Sequence, residues 1–117
     1  MSSYEKRADA HDRRYDKGVD KIDRRAEKLD EDIHPDRKLS LYDDLILMAK
    51  SLYHELHFAE TMDPELFPNS KEVAELVEYY EKEKANFERH YDYELSEWKE
   101  IEEEKKEARK RARKKKS

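Results

Sequence analysis

One glycine, Gly18, and three prolines, Pro35, Pro64 and Pro68, are the only helix breakers in these 117 residues, and none follows Pro68. So little turn chemistry disfavours a β-rich fold. Charged residues make up 49% of the chain, about twice the share in ordinary globular domains. Hydrophobic residues make up 35%, so any core must be thin and built from amphipathic faces. Periodicity then decides between long helices and disorder.

Residues 12–33 contain an approximate repeat, in which Asp12 to Ile22 aligns with Asp23 to Ile33. An eleven-residue period is three helical turns, so equivalent residues return to one face. The apolar stripe Ala8, Tyr15, Val19, Ile22, Ala26, Leu29, Ile33 predicts a first helix over about residues 4–33, with Gly18 as its soft point. Pro35 pushes His34 toward an extended conformation and ends that helix. Ser40 and Asp43 resemble a capping box, predicting a second helix over 41–62. Leu41, Leu45, Met48, Leu52, Leu56 and Ala59 fill one of its faces, and Ile46, Leu47, Tyr53 and Phe58 are expected to widen it.

Pro64 and Pro68 break the second helix, with Leu66 and Phe67 expected to tuck back as a plug. Asn69 and Glu72 offer a capping pair for a third segment over 70–104, which residues 105–117 continue as a basic tail. One continuous helix of about 40 residues is expected, striped by Val73, Val77, Tyr80, Lys84, Phe87, Tyr91, Glu94, Trp98 and Ile101. The fold class is therefore all-α: an elongated three-helix arrangement in one domain, with a long, coiled-coil-like C-terminal helix. An exposed Trp98/Tyr91 seam favours a homodimer or a bound partner.

The net charge of −5 hides a division along the chain. Residues 71–104 hold 5 basic and 13 acidic side chains, giving −8, whereas residues 105–117 hold 9 and 1, giving +8. Glu75, Glu78 and Glu81 belong to a glutamate series repeating every three residues, which an acidic-surface binder would present to a partner protein. The tail cations Arg109, Lys110, Arg111, Arg113, Lys114, Lys115 and Lys116 suit an acidic protein surface or nucleic-acid phosphates, without base-reading residues for sequence specificity.

Nothing in the sequence points to catalysis. His54 and His57 are three residues apart where the zinc-protease pattern needs four, and no Gly-rich phosphate loop is present. No enzyme, cofactor or metal site is expected. The lack of cysteine excludes disulfides, and no apolar run reaches the ~20 residues of a membrane span. A soluble cytoplasmic protein with no membrane contact is the expectation.

His34-Pro35-Asp36 stands between Ile22, Ala26, Leu29, Ile33 on one side and Ile46, Ala49, Leu52-Tyr53, Leu56 on the other. Over residues 22–56 this pattern resembles the J-domain of co-chaperones, where a basic helix leads into His-Pro-Asp and a second helix packs back. The resemblance implies that His34, Pro35 and Asp36 touch an Hsp70-type ATPase. The family's first helix has no counterpart in residues 1–21, and Glu27-Lys28 stand where the family has Lys-Arg.

Three functions remain open on these grounds. The first is a non-catalytic protein–protein interaction factor, of the kind small viral inhibitors and assembly factors represent, in which Glu75, Glu78, Glu81, Tyr91, Trp98, His34 and Asp36 meet the partner. The second is a scaffold-like rod whose basic tail grips coat protein or nucleic acid. The third is a J-like co-chaperone.

Overall fold

The computed structural model describes residues 2–116. It is all-α and elongated, measuring 72 × 34 × 13 Å. Its radius of gyration of 20.9 Å compares with the roughly 13 Å of a compact chain this long. Helix α1 runs Ser3–Ala26 and tightens into a 3-10 turn, Glu27–Asp30. Helix α2 spans Pro35–Met62, α3 spans Ser70–Arg89 and α4 spans Tyr91–Lys116. Among the described residues no helix is long and apolar enough to cross a membrane.

The core is a thin layer in which α2 lies between α1 and α3. Ile22 from α1, Leu45, Ala49, Leu52 and Leu56 from α2, and Val73 and Tyr80 from α3 form one buried cluster. These α2 positions recur at three- and four-residue steps, so they share one face. Each buried Leu or Ile contributes about 1.5–3 kcal/mol by leaving water, and few such residues exist here.

Several boundaries differ from the sequence expectation, each for a local reason. The first helix stops at Ala26 instead of Ile33, because the chain must extend before Pro35; Glu31 already has ψ 154° and His34 ψ 139°. The second helix begins at Pro35, six residues before the expected Leu41. Proline fits the first helical turn, where its missing N–H is no loss, and His34 Nδ1 caps the turn by accepting the Asp36 N–H at 3.1 Å. Ser40 thus lies inside the helix and exposed, and Asp43 pairs with Lys84 at 2.7 Å instead of completing a capping box.

The third segment is two helices, not one. At His90 the backbone leaves the helical region (φ −108°, ψ 15°). Its N–H turns to the Phe87 carbonyl at 3.1 Å, and the Asn86 carbonyl accepts instead from His90 Nδ1 at 2.9 Å. A histidine side chain thereby stands in for the lost helical bond.

The expected cap of α3 is replaced by a tertiary one. Asn69 makes no capping bond and donates its Nδ2 to Asp12 at 3.3 Å, while Tyr15 donates its hydroxyl to Glu72. The free N–H of Ser70 is taken by Glu60 of α2 at 3.1 Å. The same carboxylate accepts from the Ser70 hydroxyl and from Nε2 of the fully buried His11, at 2.9 Å in the last case. One side chain thus ties three helices together. Of the expected plug, Leu66 is buried and Phe67 is exposed. Arg7 holds the start of that loop at Asp63, 2.7 Å away.

At Gly18 the α1 backbone lies against Leu52 of α2. A Cβ there would stand 2.5 Å from Cδ1 and 2.6 Å from Cδ2 of Leu52, itself a buried core residue. Gly18→Ala alone gains about 1 kcal/mol of helix propensity and loses about 1–3 kcal/mol to overpacking. Urea unfolding is therefore expected to show Gly18→Ala destabilising the wild-type chain. In a Leu52→Ala background the same substitution should stabilise, because the obstructing methyls are gone.

Candidate functional site

The His34 corner is closed by α4. Trp98 places its ring edge-on to His34, with centroids 4.6 Å apart, and the Tyr91 hydroxyl donates to Asp36. That hydrogen bond, more than the slight burial, raises the Tyr91 phenol pKa. Further along, Lys105 reaches Asp32 at 3.5 Å. Four of the residues expected to meet a partner therefore meet one another, and Trp98 has its aromatic partner within the chain. An ATPase reading His34-Pro35-Asp36 would find the tripeptide in the first turn of α2, flanked by Tyr91 and Trp98.

The glutamate series of α3 does not form a single stripe. Residues three apart on a helix are displaced by about 60°, so Glu72, Glu75, Glu78 and Glu81 wind halfway around the axis. Glu72 turns to Tyr15 of α1, and Glu81 turns to Lys50 of α2 at 3.9 Å. Glu75 and Glu78 are exposed, with no ion pair among the described residues. Of these four glutamates, Glu75 and Glu78 are the two without an ion pair or tertiary hydrogen bond.

Leu47 and Phe58, expected to widen the packed face of α2, lie on its outside together with Met62. Leu47, Phe58 and Met62 are 65%, 67% and 71% exposed. With His54 they fall within about 80° of helical arc, roughly opposite Leu45, Ala49, Leu52 and Leu56. The stripe is about 22 Å long. Beside it, the Tyr53 ring stacks on His57 at 5.3 Å, with His54 edge-on at 5.5 Å. The signal was present in the sequence as the spacing 47, 54, 58, 62, hidden by assigning Leu47 and Phe58 to the face that Leu45, Leu52 and Leu56 fill.

The basic end of α4 is exposed from Lys106 to Lys115, where Arg111 contacts Glu107 at 3.8 Å. Lys114 and Lys116 lie on the same helical run.

The His11, Glu60 and Ser70 side chains are types that catalyse reactions elsewhere, but here they are buried. Both His11 and Ser70 address the Glu60 carboxylate, which joins α1 and α3 to α2. No group of three or more metal-capable side chains occurs among the described residues.

These features define an elongated all-α protein with an apolar outer face and a cationic terminal helix. Comparison with known proteins returns no matching family model, no similar curated protein and no similar solved structure.

The Tyr15–Glu72 bond has a pH signature. Hydrogen bonding to Glu72, then burial, pushes the Tyr15 phenol from 10.0 up to about 12. A raised folded-state value means the stabilisation is complete below about pH 10 and is lost as pH climbs toward 12. Tyr15→Phe should flatten the decline in chemical stability across that window. Some slope should persist from Tyr42 and Tyr80, which burial also raises.

Proposed function

We propose that this chain is a non-catalytic helical interaction protein that seats a partner protein on the outer face of α2. The observation that carries the reading is the two-sided character of α2. A helix apolar on opposite faces is ordinarily buried on both, and here α1 and α3 cover only one. Leu47, Phe58 and Met62 are thus left to water in a chain with few apolar residues to spare. Large apolar side chains exposed along one face of a helix suit an interaction site.

Charge specifies the partner's chemistry. Residues 34–70 hold 3 basic and 7 acidic side chains, giving −4, and residues 71–104 carry −8. The complementary partner has an apolar groove with a basic rim, and Glu75 and Glu78 would steer its approach. Acting by occupancy alone, such a protein serves as an inhibitor or an assembly factor. A second copy of the chain is a poorer occupant, since its own body is acidic.

Photo-crosslinking tests this. With p-benzoylphenylalanine replacing Phe58, irradiation in the source cells should give a discrete heterologous adduct, absent when the probe replaces the outward-facing Lys82 of α3. Adducts only to a second copy would replace the partner protein with a homodimer. No adduct, or the same adducts from both positions, would remove the reading.

A further inference from the structure

We propose that the end of α4 beyond Lys105 is a sequence-independent anchor that inserts into the major groove of duplex DNA. The argument rests on how the cations are arranged around the helix. Residues two apart are about 200° apart in an α-helix, so Arg109 and Arg111 point to nearly opposite sides, as do Arg113 and Lys115. Lys110 lies between the two sets. This end of the helix therefore has positive charge around most of its circumference, and its only apolar residues, Ala108 and Ala112, share the remaining arc.

An acidic protein surface is poorly matched to such an element. Protein interfaces have apolar cores depleted of charge, and this segment has no side chain to anchor one. A DNA major groove is the better fit. It is about 12 Å wide, close to the 10–12 Å diameter of a helix, and it is walled by a phosphate row on each side. Cations on opposite sides of one helix can then reach both rows. In the free chain, like charges stand four residues apart at Lys106/Lys110, Arg109/Arg113 and Arg111/Lys115, each pair mildly destabilising. Phosphates would relieve that repulsion.

The rest of the molecule sets the mode of contact. With −8 on residues 71–104, the body repels phosphates, so DNA is met by the helix end alone. No Asn or Gln accompanies the cations to read adenine edges, and the cations that could reach guanine are, in this arrangement, turned to the two phosphate rows. The proposal is independent of the α2 surface, and failure of the crosslinking experiment would leave it standing.

Fluorescence anisotropy of the full chain with a labelled DNA duplex of arbitrary sequence provides the test. Binding should weaken with salt, with a log–log slope of about −4.5 to −5.5 for five to six phosphates. The variant R109Q/K110Q/R113Q, whose changes do not touch the body, should keep its thermal melt while the slope falls in magnitude by about 3. An RNA duplex, whose major groove is too deep and narrow for a helix, should bind more weakly, and polyglutamate more weakly still. Equal affinity for RNA or polyglutamate would overturn groove insertion. So would an unchanged slope in the variant, or no DNA binding at about 50 mM salt.

Discussion

Helix α2 has apolar side chains on two opposite faces, and the rest of the molecule is arranged around it. Its inner face supplies Leu45, Ala49, Leu52 and Leu56 to a core that α1 and α3 complete with Ile22, Val73 and Tyr80. The core can be this thin because the helices approach closely. Gly18 lets the α1 backbone lie against Leu52 where any side chain would intrude. A chain with so many charges has few ways to hide apolar area, and covering both faces of α2 would need another layer. The outer face is left uncovered as a direct consequence.

Polar interactions fix the geometry that packing alone would leave loose. Glu60 sits where α1, α2 and α3 converge and accepts from His11, the Ser70 hydroxyl and the Ser70 N–H. Buried acceptors and donors that satisfy each other specify one arrangement, since any slip orphans several of them at once. At the opposite end of α2, Tyr91 and Trp98 reach Asp36 and His34, so α4 is held at its base. Only its cationic end projects. The molecule thus separates an acidic body, with Leu47, Phe58 and Met62 exposed on α2, from a positively charged tip.

Much of this architecture was legible in the sequence. The all-α, elongated class followed from the scarcity of glycine and proline, and the three-four spacing that includes Ile22, Leu45, Leu52, Leu56, Val73 and Tyr80 marked faces that the core uses. What was not legible depended on tertiary partners. Ser40–Asp43 and Asn69–Glu72 have capping spacing, but Asp43, Asn69 and Glu72 are claimed by Lys84, Asp12 and Tyr15. The helix break at His90 lacks glycine or proline and depends on one side chain reaching the Asn86 carbonyl. Glutamates spaced by three read as a stripe along the sequence but spiral on the helix. Leu47 and Phe58 were assigned to the core because hydrophobicity by itself does not say which of two faces is covered.

The functional account therefore turns on whether Leu47, Phe58 and Met62 lie outside the fold's own core. The most direct measurement is the unfolding free energy of the triple variant L47Q/F58Q/M62Q beside that of L45Q/L56Q, by urea titration of the full chain. If the outer face is built for a partner, the triple variant should unfold within about 1 kcal/mol of wild type, as exposed substitutions do. L45Q/L56Q should lose several kcal/mol or fail to fold, as core truncations do. Destabilisation of the triple variant by as much as the core variant would contradict the account, because the stripe would then belong to the fold and not to a partner.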